Sequence, residues 1–328
     1  MDRRAVLRAL AAGMLATRSA ASMGAANTTG RKRLGILTPN ARAQALEGFT
    51  IALAPRLAEL GWTEGKNLEL AWRFGAGDEP RYSALAKELV DLRPDLIGTQ
   101  STPCTRALQQ ATRTIPIVTS VGDPVGAGFA QSLARPGSNI TGTSQGARET
   151  AQKQVELMRA TLPKLSTLVI LRAKAAAFAE ITEPMVAAAR ASGLVALPRE
   201  IASMADVEDA LRAVPGAGRG AAFLYGYVMP KQDMGVIARR AIEMRVPAIV
   251  NDPDVVVAGG LMSYRLFHED EERRIAIIID KLLRGAHPGL IPFELPQRSF
   301  FVINRRTAAA IGVAFPADFA IRATQVIE

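Results

Sequence analysis

The side chains best suited to chemistry are few and widely separated in this 328-residue chain: one cysteine, Cys104, and two histidines, His268 and His287. A metal centre needs ligands at short spacing, as in HExxH or CxxC, and neither pattern occurs. A single cysteine also excludes an intramolecular disulfide. The phosphate loop GxxxxGK[ST] is absent, Gly75-Ala76-Gly77 lacks the rest of a dinucleotide fingerprint, and no nucleophile elbow is expected. Cys104, at a predicted helix start, is placed for a lowered pKa, but both histidines are far from it in sequence. The run His268–Arg274, HEDEERR, reads as the solvated start of a helix, its acids favourably placed at the N-terminus. No catalytic residue, metal or cofactor is therefore expected, and the chemistry left to the chain is that of binding.

Binding residues need elements to position them. Apolar residues make up 48% of the chain and charged ones 22%, so a chain of this length can bury two cores rather than one. From Arg33 onward, short β-rich apolar runs alternate with helical patterns, the signature of βαβ units and a parallel sheet. Strands are expected near Leu34–Leu37, Leu68–Phe74, Asp95–Thr99, Ile115–Thr119 and Ile140–Thr143, with helices around Ala43–Leu60, Arg81–Leu92, Pro103–Thr112 and Val125–Leu133. The pattern then restarts, with strands near Leu168–Leu171, Leu194–Pro198, Ala221–Tyr225, Ala248–Val250 and Leu261–Tyr264. Helices of this half are expected near Ala147–Thr161, Ala175–Ser192, Val207–Val214, Lys231–Met244 and Glu269–Leu283. An internal echo accompanies the restart: IPIVTSVGDPVGAG (Ile115–Gly128) parallels VPAIVNDPDVVVAGG (Val246–Gly260), which puts Asp123 and Asp252 at equivalent strand ends.

In an open parallel sheet, ligands bind beyond the carboxyl ends of the strands, where helix N-termini present free N–H groups. The residues there are Thr38, Ser101, Thr102, Asp123, Thr143 and Ser144 in the first half, and Arg172, Tyr225, Tyr227 and Asp252 in the second. Each has a second reading. Ser101 or Thr102 before Pro103, and Asp123 before Pro124, are sound helix caps. Tyr225 and Tyr227 alternate about Gly226, so at least one faces the cleft, where its ring can stack on a ligand. Arg172 suits a carboxylate, although an exposed loop arginine is commoner.

The formal net charge is +9, but the basic residues are scattered rather than gathered in a stripe, which argues against a nucleic-acid partner. Four arginines fall within residues 1–26, where a basic start precedes a short apolar stretch, Ala9–Ala16, and small residues. This reads as a signal peptide, with Arg3-Arg4 resembling a twin-arginine signal and an ordinary secretory signal as the other reading. No run approaches the roughly 20 apolar residues that span a bilayer, so the mature chain is not expected to insert in a membrane.

The stretches GFTIALAPRLAELGWTEGKNLELAWRFGAGDEPRYSALAKELVDLRPDLI, GDPVGAGFAQSLARPGSNITG, AGGLMSYR and INRRTAAAIGVAFPADFAIRATQVIE resemble the substrate-binding proteins of ABC transporters, a family that includes tryptophan/tyrosine-type binding proteins. The resemblance implies a type I periplasmic-binding-protein fold: two Rossmann-like lobes with parallel sheets, joined by three crossover strands. These would lie near Thr143–Gly146, Ser263–Leu266 and Pro292–Pro296. The implied division is a signal peptide at 1–26, one lobe of 31–143 plus 267–291, and a second of 144–264 plus 296–328. The implied function is capture of a small organic solute, amino-acid-like or aromatic and carboxylated, by a monomer in the periplasm for an ABC permease. Two segments depart from the family pattern, LRAKAAAF after the first strand of the second lobe and LYGYVM later, so ligand identity does not carry across. An effector or sensor module of the same fold, and an α/β enzyme using Cys104 or Asp123, are the rival readings.

Overall fold

The computed structural model describes residues 30–174, 176–216, 218–224 and 231–328, and the chain divides into a short unit, Met1–Arg31, and a main unit, Lys32–Glu328. The leader expected over residues 1–26 lies outside the described residues, and the main unit is the subject from here on.

Five strands form the first sheet: β1 (Lys32–Thr38), β2 (Leu68–Phe74), β3 (Leu96–Thr99), β4 (Ile117–Val121) and β5 (Ile140–Ser144). They are parallel throughout, in the order β2-β1-β3-β4-β5. Strands covered on both faces hold apolar residues or small hydroxyls with hydrogen-bond partners, as Thr119, Ser120, Thr141, Thr143 and Ser144 have here. Accordingly every residue of β4 and β5 is buried. On one face lie α1 (Arg42–Gly48), which runs on through a π-helical Phe49–Leu53, and α2 (Ala54–Glu59). On the other lie α3 (Tyr82–Asp91) and α4 (Thr102–Ala111), whose Leu85, Leu89, Cys104 and Leu108 join Leu37, Ile97 and Ile117 in one core.

After β5 the chain enters α5 (Ala147–Thr161), and the second sheet follows. Its strands are β6 (Thr167–Ala173), β7 (Val195–Ile201), β8 (Gly220–Leu224), β9 (Ala248–Val250), β10 (Met262–Phe267), β11 (Arg298–Asn304) and β12 (Gln325–Ile327). The helices are α6 (Ala176–Ala191), α7 (Met204–Arg212), α8 (Lys231–Glu243) and α9 (Pro253–Val257). The order β7-β6-β8-β9-β10 repeats the order of the first sheet strand for strand, with β11 and β12 added beyond β10. The sequence echo has a topological counterpart here: β4 and β9, which precede Asp123 and Asp252, are each fourth in this shared order.

Between β10 and β11 the chain crosses back. It forms α10 (Glu271–Leu283), whose Ile275, Ile278, Ile279 and Leu282 pack with Leu34, Leu57, Leu96 and Val118 of the first lobe. Trp62 Nε1 donates to Asp280 of α10 at 2.8 Å, fastening the returned helix. Glu294 then runs beside β5, its N–H donating to Gly142 O and its carbonyl accepting from Ser144 N–H, before β11 begins. α11 (Arg305–Ile311) and α12 (Phe319–Arg322) complete the second lobe.

Two expectations are corrected. Val125–Leu133 forms no helix but a series of turns, because Gly128 adopts φ +73° and Asp123 draws the Gly126 N–H back onto its carboxylate at 2.9 Å. The middle crossover lies after Ser263–Leu266, since β10 stays paired with antiparallel β11 as far as Phe267 opposite Arg298. Antiparallel pairing of the two return strands keeps that whole stretch in the second sheet.

Candidate functional site

The carboxyl ends of both sheets face a cleft beside the three crossings, and the cleft holds two adjoining cavities of about 810 and 800 Å³. The first is walled on one side by Gln100, Ser101, Thr102, Pro103 and the Ser120–Asp123 strand end. The second is walled by Phe223 and Asn251–Val255 of the second sheet, and by Arg265, Phe267, His268 and Glu271 at the middle crossing. Gln145, Ala147, Ile181 and Pro184 line both, so the two are parts of one space.

Ser101, Thr102, Asp123 and Asp252 stand on the cavity walls. Ser101 caps α4, its Oγ accepting from Cys104 N–H at 3.1 Å, and Pro103 fits the first turn because the missing N–H has no partner to lose there. Asp123 accepts from Gly126 N–H and from Arg148 of α5, with Nη2 at 2.9 Å. Asp252 caps α9 through Asp254 N–H at 2.9 Å. Capping and cavity lining therefore coexist in Ser101 and Asp252, whereas Asp123, expected as a helix cap, closes a turn instead.

The other residues lie elsewhere. Thr38 is buried at the end of β1, its Oγ1 accepting from Asn40 N–H. Thr143 is fully buried and donates to Glu271 Oε1 at 2.8 Å. Ser144 donates to Gly122 O and accepts from Gly146 N–H. Arg172 lies opposite Glu200 across β6 and β7, with Nη2 3.5 Å from that carboxylate, and its buried Nε has no hydrogen-bond partner among the described residues. Tyr225 and Tyr227 lie outside the described residues.

Contrary to the expectation of no elbow pattern, Gly142-Thr143-Ser144-Gln145-Gly146 does have the spacing GxSxG. It is not built as a nucleophile. Ser144 is 2% exposed, its hydroxyl is held by backbone on both sides, and His268 Nε2 meets the Ser144 carbonyl oxygen at 2.9 Å rather than the hydroxyl. A base must reach the nucleophile's own proton, and here it does not. Cys104 is likewise inert: burial outweighs the hydrogen bonds from Ser101 and Thr99, so its pKa rises from 9.0 to about 11. Among the described residues, no group of three or more His, Cys, Asp or Glu side chains could hold a metal ion.

Sequence reasoning passed over Glu271 and His268. Within HEDEERR, Glu269, Glu272 and Arg273 are exposed, as a solvated helix start requires, but His268 and Glu271 are partly buried on the cavity wall. No local spacing signals the pair, since His268 precedes the cap Asp270 and lies outside α10, which begins at Glu271.

Two α/β lobes with facing strand ends, crossed three times by the chain and enclosing a cavity between them, define a binding protein of the periplasmic type. The chain belongs to the ABC transporter substrate binding protein family, whose pattern it matches over residues 35–327. It is 25% identical over 270 residues to the tyrosine-binding protein of Clostridioides difficile strain R20291, covering 82% of this chain and 76% of that one. Among solved structures, a conserved domain protein from Vibrio cholerae is 25% identical with a TM-score of 0.68, covering 90% of this chain and 99% of that one. A domain from Streptococcus pneumonia solved in complex with L-Trp has 24% identity and a TM-score of 0.68, covering 91% of this chain and 100% of that one. Of these relatives, the first is named a binding protein and the third is solved with L-Trp bound. Among the described residues no helix is long and apolar enough to cross a membrane, and substrate-binding proteins of ABC transporters act in the periplasm or outside the cell.

Proposed function

We propose that the protein captures one small organic solute in the cleft by hinge closure and presents the closed form to the permease of an ABC importer, catalysing no reaction. The observation that carries this reading is the continuity of the cleft: Gln145, Ala147, Ile181 and Pro184 line both cavities, so one solute touches both lobes when they close. A ligand that contacts both lobes only in the closed form shifts the population toward it.

The solute class is an amino acid or a small aromatic or carboxylated molecule. Phe223, Met185, Phe267 and Phe300 offer apolar wall, and Ser101 and Thr102 offer hydroxyls at the start of α4. The tyrosine and L-Trp named for the relatives belong to the same class. Thr38, Thr143, Ser144, Arg172, Tyr225 and Tyr227 remain candidates for contact in the closed form. With the crossings placed by strand membership, the lobes comprise residues 31–144 with 268–291, and 145–267 with 296–328. The protein is a periplasmic monomer, exported by a twin-arginine or Sec-type signal within residues 1–26.

Thermal-shift screening of the purified protein against metabolites, followed by small-angle scattering with each hit, tests this reading. A ligand at 100 times its Kd stabilises by about 2.7 kcal/mol and should also reduce the radius of gyration. A stabilising solute that leaves the scattering curve unchanged would exclude hinge closure.

A further inference from the structure

We propose that Glu271 is the anchor for a protonated amine on the captured solute, an inference that rests on the cleft being the solute site. Glu271 opens α10 and lines the cavity next to the middle crossing. Its Oε1 accepts from Ser120 Oγ at 2.6 Å and from Thr143 Oγ1 at 2.8 Å. Both hydroxyls are buried, Ser120 at 5% and Thr143 at 0% exposure, so they fix the carboxylate in one orientation and donate to only one of its oxygens.

What the carboxylate lacks is a cation of its own. Arg274, three residues along the same helix, gives its Nη1 to Glu294 at 2.6 Å. Arg148 is held by Asp123, and Arg56 by Glu59 and Asp270. His268 is turned onto the Ser144 carbonyl, and Arg265 stacks on Phe267 at 5.8 Å from the ring centroid. Among the described residues no basic nitrogen lies within 4 Å of Glu271. A half-buried carboxylate that is oriented and left without a counter-charge is complementary to a cation brought from outside. An ammonium fits, since it is compact and can donate to the second oxygen while the apolar wall takes the rest of the solute. Arg265 on the same wall is available to an acidic group of that solute.

The test is calorimetric titration of matched pairs that differ only in the amine: L-tyrosine against 3-(4-hydroxyphenyl)propionate, L-tryptophan against indole-3-propionate, and L-leucine against 4-methylpentanoate. In the unmodified protein the amine-bearing member of a pair should bind at least about tenfold more tightly, the range of a charge-assisted hydrogen bond. Glu271→Gln keeps an oxygen for the Ser120 and Thr143 hydroxyls, so it should retain the melting temperature and erase that preference. Equal binding of both members in the unmodified protein overturns the proposal without recourse to any variant, as does a preference that survives in Glu271→Gln. If every pair fails while sugars or simple carboxylates bind, the amine anchor is wrong and solute capture stands. If no solute of any class binds, both fall.

Discussion

Asp123 Oδ2, at the end of β4, lies 2.9 Å from Nη2 and 3.2 Å from Nε of Arg148, in the first turn of α5. α5 packs on α6 and β10 of the second sheet, so this ion pair ties one lobe to the other beside the first crossing. The pair is asymmetric, because Asp123 is 16% exposed and Arg148 52%.

Removing Arg148 should loosen the lobes more than it destabilises them. Exposed pairs contribute about 1 kcal/mol or less, so Arg148→Ala should cost no more than that in urea unfolding while raising the radius of gyration of the unliganded protein. Asp123→Ala should cost more, about 1–2 kcal/mol, because it also strips the Gly126 N–H of its acceptor. Unchanged scattering in both variants would show that the pair does not restrain the hinge.

Asn304 should be far more sensitive. It is 3% exposed, its Oδ1 accepts from Thr307 N–H at 2.9 Å to cap α11, and its Nδ2 donates to Val256 O at 2.8 Å. Asn304→Ala orphans the buried Thr307 N–H and takes one of two hydrogen bonds from Val256 O, which keeps that from Gly259 N–H, so a loss of about 1–3 kcal/mol is expected. A urea midpoint within experimental error of the parent protein would refute that account.

Gly142→Ala should prevent normal folding of the first crossing. Gly142 faces Thr119 across β4 and β5 with φ +154°, and an added Cβ would lie 1.7 Å from Thr119 O. The strand pair must separate to admit it, at about 3 kcal/mol or more. A soluble variant with the parent's melting temperature would contradict this close pairing of β4 with β5.

Cys104 gives the pH signature. Because burial raises its folded-state pKa from 9.0 to about 11, the folded protein holds the thiol proton more tightly than the unfolded chain does. Its contribution to stability is complete below about pH 9 and is lost as the pH rises toward 11, by roughly 2–3 kcal/mol. Unfolding curves between pH 9 and 11 should therefore be flatter with pH for Cys104→Ala than for the parent. At pH 8 the native thiol should resist iodoacetamide and react only after denaturation, and rapid labelling of the native form would sink the argument.

Much of the scaffold was legible because strands such as Leu168–Leu171 and Ala248–Val250 are covered on both faces and must be continuous apolar runs. Ala147–Thr161 was legible at both ends, and Ser101 before Pro103 signalled a cap. Val125–Leu133 was misread because its spacing of apolar residues suits a helix. What breaks the helix is the bond from Gly126 N–H to Asp123, together with the left-handed Gly128. Residues 298–328 yielded no strand assignment, since β11 meets its partner β10 only after the chain has returned through α10, and β12, three residues long, pairs with β11 alone.

Local periodicity alone, therefore, determines the alternation of strands and helices, the duplication of the halves and the cap at Ser101, because each depends on residues within a few positions of one another. Burial decides the rest. Only the packed fold brings Ser120 and Thr143 onto Glu271, 151 and 128 positions away, and turns His268 toward Ser144. In sequence Glu271 is one acid among several at a helix start. Its hydroxyl partners and the absence of a nearby cation arise from the chain crossing between lobes, a distance over which no local pattern carries information.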